Sequence, residues 1–105
     1  MADFVLLYSG GGMPETEEEQ AQALKAWQDW LQEVGSAVKD EGNPFAPAAK
    51  TIDAGGAVAD AKGSLHTGYS IVKADSLDEA TTIAKGSPIL QGGGSVTIYE
   101  TFEVM

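Results

Sequence analysis

Residues 68–90, GYSIVKADSLDEATTIAKGSPIL, decide the fold. The apolar and β-branched run over residues 69–73 predicts a strand. Ser76 and Glu79 have the spacing of a helix N-cap and its reciprocal partner, so a helix is expected to begin directly after Ser76. Gly86, followed by a proline, is expected to end that helix. This stretch therefore predicts one strand followed by one short helix.

The first third of the chain repeats the same plan. The apolar run over residues 4–8, FVLLY, predicts a buried strand. Thr16 and Glu19 repeat the capping pattern, and Gly35 supplies a stop signal, so a long helix is expected between them. Four side chains at helical spacing are expected to form its buried stripe: Leu24, Trp27, Leu31 and Val34.

Three further segments complete the predicted elements. Residues 95–102, SVTIYETF, alternate apolar with polar side chains and predict a half-buried strand in which Val96, Ile98 and Phe102 face inwards. Residues 50–53 and 57–60 flank two glycines and predict a small hairpin. Residues 36–39 are a candidate short strand.

This order of elements predicts an α+β fold in a single domain over residues 1–105. A ferredoxin-like βαββαβ antiparallel sheet with two helices on one face accounts for it. The other face of such a sheet is left uncovered in one chain, and a second copy is its simplest cover. We therefore expect a homodimer that packs sheet against sheet and leaves a cleft for a small molecule.

Composition narrows the function. The chain of 105 residues has six lysines, no arginine and a net charge of −10, which disfavours nucleic acid and anionic membranes as partners. It has no cysteine and one histidine, so Cys-based and multi-histidine metal sites are excluded. A carboxylate-only Mg²⁺ or Ca²⁺ site stays open although no EF-hand spacing occurs, and the expectation is no metal or cofactor. No apolar run approaches the roughly 20 residues of a membrane span. A cytoplasmic protein is the expectation.

Residues 68–90, followed by GGGSVTIYE over residues 92–100, resemble the second half of the YCII-related family, including its DGPF-type members. FVLLYSGG at residues 4–11 and the helix that carries Trp27 fit the first half more loosely. The resemblance implies a dimeric α+β barrel and little about chemistry. Asp60 matches the aspartate of the DGPF signature, but Ala-Lys-Gly follows it. A better-studied branch of the family has a histidine in the first helix. This chain has Leu24 at roughly that position and no histidine in the helix.

His66 and Asp60 form the candidate acid-base pair. If the strand that ends at Asp60 pairs with the strand that begins near Thr67, the carboxylate could orient the imidazole as a general base. The alternative is an exposed polar loop pair without a chemical role.

Four aromatic side chains are candidates for a ligand pocket, namely Tyr8, Trp27, Tyr69 and Tyr99. The alternative for these residues is core packing and dimer contact. Turn geometry explains the glycine runs at residues 10–12 and 92–94 better than phosphate binding does, and helix capping explains the acidic run at residues 15–19 better than a cation site does.

Two functions remain open. One is a dimeric small-molecule-binding module without catalytic activity. The other is a cofactor-independent enzyme in which His66 acts as the base, Asp60 orients it and Tyr69 positions the substrate.

Overall fold

The structure is a computed structural model, and it describes residues 2–11, 15–46, 48–61 and 66–104. Each helix begins at its predicted cap, because the hydroxyl oxygens of Thr16 and Ser76 accept hydrogen bonds from the backbone N–H groups of Glu19 and Glu79, both at 3.1 Å. The elements in chain order are β1 (Ala2–Ser9), α1 (Glu17–Val34), a 3-10 turn (Gly35–Ala37), β2 (Val38–Asp40), β3 (Lys50–Ile52), β4 (Val58–Asp60), β5 (His66–Ala74), α2 (Leu77–Ala84), a second 3-10 turn (Pro88–Leu90) and β6 (Ser95–Glu100).

Four strands form the main sheet in the order β2-β5-β1-β6, and every neighbouring pair is antiparallel. Once the hairpin is set aside, this is the ferredoxin-like order, so the predicted α+β fold is confirmed. Strands β3 and β4 form the predicted hairpin as a separate two-stranded sheet. Within the described residues β4 pairs with β3 only, so the expected pairing of β4 with β5 is wrong.

Both helices cover the same face of the sheet. The core between the helices and the sheet consists of side chains that alternate along β1 and β5, together with small residues of α2 and one tryptophan of α1: Phe4, Leu6, Tyr8, Trp30, Val72, Ala74, Ala80 and Ala84. Gly42, at φ 77°, lies so close to β5 that an added Cβ would stand 1.6 Å from the carbonyl oxygen of Tyr69. A glycine is therefore required where the chain leaves β2.

Two details of side-chain burial differ from the sequence prediction. Leu24, expected in the buried stripe of α1, is 60% exposed, whereas Trp30 is 4% exposed and donates from its indole N–H to the carbonyl oxygen of Ile83 at 3.2 Å. Trp27, Leu31 and Val34 pack against the core as predicted, so the prediction is wrong for Leu24 only, and it missed Trp30, which lies against α2. Phe102 follows the end of β6 and is 80% exposed, so it does not join the inward row of Val96 and Ile98.

In the described part of the chain, no helix is both long enough and apolar enough to cross a membrane.

Candidate functional site on the open sheet face

The face of the sheet opposite the helices carries an organised surface. Residues paired across strands share a face, so the register of β6, β1 and β5 fixes its rows. A polar row lies at one end, an apolar centre follows, and a charged pair lies at the other end. From one end to the other, these rows contain Ser95, Ser9 and His66, then Thr97, Leu7 and Tyr69, then Tyr99, Val5 and Ile71, and lastly Asp3 and Lys73. We call this surface the open face.

The polar end of the open face is built around a contact between Ser9 and His66. The register shifts between Tyr8 and Ser9, and this irregularity brings Ser9 opposite His66. Ser9 Oγ lies 2.9 Å from His66 Nδ1. Beside them, the hydroxyl of Thr67 donates to the carbonyl oxygen of Gly10 at 3.2 Å. His66 is exposed, and within the described ranges its Nε2 atom forms no hydrogen bond.

A glycine allows the strands to meet at this end. At Gly94 an added Cβ would stand 2.7 Å from the carbonyl oxygen of Ser9 and 2.8 Å from a side-chain carbon of Ile89. Only a residue without a side chain permits that approach. The start of β6 can therefore lie against the end of β1, which brings Ser95 beside Ser9.

Asp60 lies elsewhere in the fold. Its carboxylate forms an ion pair with Lys50, directly across the hairpin from it. Among the described residues the side-chain partner of His66 is Ser9, and no hydrogen bond joins Asp60 to His66. The sequence interpretation missed Ser9. The strict alternation along β1 was the signal that could have found it, since Ser9 follows Val5 and Leu7 on the same face.

Two of the four aromatic candidates belong to the core. Tyr8 is 4% exposed, and its ring meets that of Trp27 edge to face at 5.1 Å. The phenol donates to Ser70 Oγ at 2.9 Å, and Ser70 in turn donates to the carbonyl oxygen of Glu41 at 2.8 Å. Burial raises the pKa of Tyr8, and the hydroxyls of Ser70 and Ser87 partly offset that rise.

The other two aromatic candidates lie on the open face. Tyr69 stacks on Phe45 with ring centroids 5.9 Å apart, and its hydroxyl lies 3.3 Å from Asp40 Oδ2. Tyr99 is 54% exposed. Tyr8 and Trp27 are thus separated by the sheet from Tyr69 and Tyr99, so the four side chains do not line one pocket within a single chain. Ligand contact by any of them stays a prediction.

A groove lies at the far edge of the main sheet, between α1 and β2. It encloses about 570 Å³, and its lining contains none of the predicted site residues. Its walls are mostly polar or charged side chains, namely Gln28, Gln32, Lys39 and Glu41, with Leu31, Gly35 and Val38. In the described ranges, no three His, Asp or Glu side chains converge as metal ligands would.

The comparisons with known proteins agree with this architecture. A search of curated proteins found no significant match. Among solved structures, the chain is similar to 5-chloro-2-hydroxyhydroquinone dehydrochlorinase from Burkholderia phenoliruptrix AC1100 in complex with 2,5-dihydroxybenzoquinone. The identity is 15%, the match covers 93% of each chain and the TM-score is 0.54, a likeness that shows the shared fold. The family model of the YCII-related domain matches residues 4–104, and the chain therefore belongs to the YCII-related family.

Proposed function

We propose that this protein is a homodimer that binds a small molecule in a cleft between its two open faces, with Ser9 and His66 at the polar end of the cleft. The observation that carries the proposal is the composition of the open face. Val5, Leu7 and Ile71 are only half-buried, and Tyr99 is 54% exposed. A contiguous apolar surface of this kind is typical of a binding or association site.

The charge distribution on the open face supports association with a second copy. The chain has sixteen acidic residues, yet the rows on β1, β5 and β6 contain only Asp3. Asp3 is neutralised by an ion pair with Lys39. Two copies of a chain with a net charge of −10 can therefore approach through these rows with few carboxylates between them; the carboxylate of Asp40 lies at their border, 3.3 Å from the Tyr69 hydroxyl.

The chemistry at the polar end indicates the class of ligand. Tyr69 and Tyr99 offer aromatic surface, and the hydroxyls of Ser95 and Thr97 lie beside Ser9 on the same face. His66 Nε2 adds one directed hydrogen-bonding atom. Such a surface suits a small planar molecule with a hydroxyl or carbonyl group at one end. The structurally similar dehydrochlorinase, whose structure holds 2,5-dihydroxybenzoquinone, makes that quinone a sensible first probe.

The dimer is tested by analytical ultracentrifugation of Val5→Lys, which places a charge at the centre of the open face. We expect this variant to be monomeric where the wild type is dimeric. Leu24→Lys is the matched control, because Leu24 is 60% exposed on α1 and lies outside the open face. A wild type that is monomeric at every concentration would refute the dimer.

Ligand binding is tested by native mass spectrometry of gently purified protein and by calorimetric titration with 2,5-dihydroxybenzoquinone. Retained mass or measurable heat is expected for the wild type, with weaker binding for His66→Ala. Asp60→Asn serves as the control because Asp60 pairs with Lys50 on the hairpin. Equal binding by all three proteins would exclude His66 from the site.

The second candidate function, a cofactor-independent enzyme, is favoured by one contact. If Nδ1–H of His66 donates to Ser9 Oγ, the ring presents an unprotonated Nε2, which is the form that a general base requires. In this version Ser9 has the orienting role that the sequence assigned to Asp60. Once a substrate is known, His66→Ala should lower turnover by about 10²- to 10⁴-fold while Asp60→Asn leaves it intact. An unchanged rate in His66→Ala would exclude this mechanism.

A further inference from the structure

The β3–β4 hairpin projects from the body of the protein as an arm. A compact domain of 105 residues has a radius of gyration of about 13 Å. This chain has a radius of gyration of 15.3 Å and extents of 44 × 42 × 18 Å. Every described residue from 48 to 60 is exposed. We call residues 48–61 the arm.

The arm is nevertheless a regular element. Three residue pairs form its ladder, and Ala61 N–H continues it by donating to the carbonyl oxygen of Ala49 at 2.9 Å. The turn is closed by Asp53 Oδ1, which accepts from the backbone N–H groups of Gly55 and Ala57, both at 2.9 Å. The arm therefore has the defined geometry of a preformed binding element.

By itself the arm lacks a stabilising partner. An isolated two-stranded hairpin is marginally stable in water, because it has no hydrophobic surface to pack against. Ile52 and Val58 face each other across the ladder, and they are 68% and 62% exposed. This apolar pair needs a surface that the described body of its own chain does not supply.

We propose that the arm packs through Ile52 and Val58 against a second copy of this chain. The inference rests on the proposed dimer and adds a second contact region to it. The paired charges Lys50 and Asp60 leave the ladder itself neutral, and the carboxylate of Asp53 is used by the turn. Asp53 keeps its negative charge, so the arm, with one lysine and two aspartates, brings a net charge of only −1 towards an acidic partner.

The area that a dimer needs argues for this partner. A stable interface buries about 800 Å² on each partner. The arm, in which every described residue from 48 to 60 is exposed, adds to the surface that the open face can bury.

The arm is also continuous with the open face. Before the arm begins, the backbone N–H of Phe45 donates to the carbonyl oxygen of Thr67 at 2.8 Å, so the chain runs beside β5. The ring of Phe45 stacks on Tyr69, which belongs to the open face. The chain therefore leaves the sheet at the border of the surface that the second copy is proposed to cover.

The test replaces the apolar pair by a charged one, Ile52→Lys with Val58→Glu. Opposite charges across the ladder keep the hairpin paired but cannot be buried against a partner. We expect the dissociation constant of the variant dimer, measured by analytical ultracentrifugation, to be at least about tenfold higher than that of the wild-type dimer. The matched control is Leu24→Lys with Gln28→Glu, an exposed pair on α1 that adds the same two charges.

Amide hydrogen exchange gives a second measurement on the wild type. Protection of Lys50–Ile52 and Val58–Asp60 should rise with protein concentration as the dimer forms. An arm variant that dimerises as tightly as the wild type would overturn the inference while leaving the open-face dimer intact. Arm amides whose protection does not depend on concentration would also overturn it. A monomeric wild type would overturn both the arm inference and the open-face dimer. Val5→Lys tests the open-face dimer alone, so it separates the failure of one from the failure of the other.

Discussion

Ser9 contacts one ring nitrogen of His66, and among the described residues the other ring nitrogen has no hydrogen-bond partner. The hydroxyl can either donate to Nδ1 or accept from it, so the contact is compatible with both tautomers of the ring. Nε2 accepts a hydrogen bond when Nδ1–H donates to Ser9 Oγ, and it donates when the Ser9 hydroxyl donates to Nδ1. In the proposed site Nε2 is the atom offered to a ligand.

The first prediction concerns this contact. Ser9→Ala should return the ring of His66 towards the tautomer mixture of a free imidazole, because the hydroxyl that biased it is gone. The ¹⁵N chemical shifts of the two ring nitrogens report the change directly. Ser95→Ala, in the same row but not in contact with the ring nitrogen, is the control. Identical ring shifts in Ser9→Ala and the wild type would show that the hydrogen bond does not persist in solution.

The second prediction concerns the buried phenol of Tyr8. Burial raises its pKa in the folded protein above the value of about 10 in an unfolded chain. The folded state therefore holds this proton more tightly. The resulting stability is complete below about pH 10 and is lost as the pH rises through the folded pKa.

Tyr8→Phe should lower the free energy of unfolding by about 1 kcal/mol at neutral pH, the usual worth of one hydrogen bond. The difference between wild type and variant should shrink at alkaline pH, since only the wild type loses the contribution of the phenol. Urea unfolding at neutral and at strongly alkaline pH measures it. Val72→Ala, a buried change without a titrating group, is the control, and a Tyr8→Phe difference as constant as that of the control would contradict the prediction.

Among the elements, α1 has the predicted start and three of its four predicted inward residues, but Trp30 and not Leu24 completes its buried face. Its start at Thr16 depends on residues within one turn, so the sequence contained what was needed to predict it. Its rotation depends on how it packs against α2 and the sheet. The contact of Trp30 with Ile83 joins positions 53 apart in the sequence, which periodicity cannot anticipate.

The third prediction compares the two positions on α1. Trp30→Ala should lower the free energy of unfolding by about 3–5 kcal/mol, because it empties a buried site. Leu24→Ala should change it by no more than about 0.5 kcal/mol, as expected for an exposed side chain. Chemical denaturation measures both. A large loss in Leu24→Ala with a small loss in Trp30→Ala would restore the stripe predicted from the sequence.

In the site, as in α1, some features depend on residues that are close in the sequence and others on residues that are far apart. The strand at residues 69–73 and the hairpin were predictable, because short-range alternation and turn residues define them. The pairing of His66 was not, because its strand lies against β1, which is 57 positions away at Ser9. Strand β4 pairs with β3, so Asp60 forms an ion pair with Lys50 and does not pair with His66 as predicted.

For the whole molecule, net charge governs association. Each copy has a charge of −10, and most of its acidic residues lie outside the open face. In the proposed dimer, two copies repel each other at long range although the rows of the open face contain one carboxylate, which is paired with a lysine. Added salt shortens the distance over which the charges repel each other. This distance, the Debye length, falls from about 30 Å in dilute buffer to about 8 Å at physiological ionic strength.

The fourth prediction is therefore that salt strengthens the dimer. Sedimentation at increasing sodium chloride should show a dissociation constant that falls severalfold. Lys73→Glu puts a new carboxylate on the open face, so its dimer should be weaker and should depend more steeply on salt. A wild-type dimer that loosens as salt is added would mean that ion pairs across the interface outweigh the repulsion.

The positions of the first and last strands have a mechanical consequence. Strands β1 and β6 are antiparallel neighbours, and beyond their six paired positions the backbone N–H of Thr101 donates to the carbonyl oxygen of Asp3 at 2.9 Å. The start of β1 and the end of β6 thus lie side by side, at the end of the sheet farthest from His66. A force that pulls these two points apart would peel the strands open one hydrogen bond at a time and would never load the whole ladder in shear. The fold should therefore yield to low pulling forces even where its free energy of unfolding is ordinary.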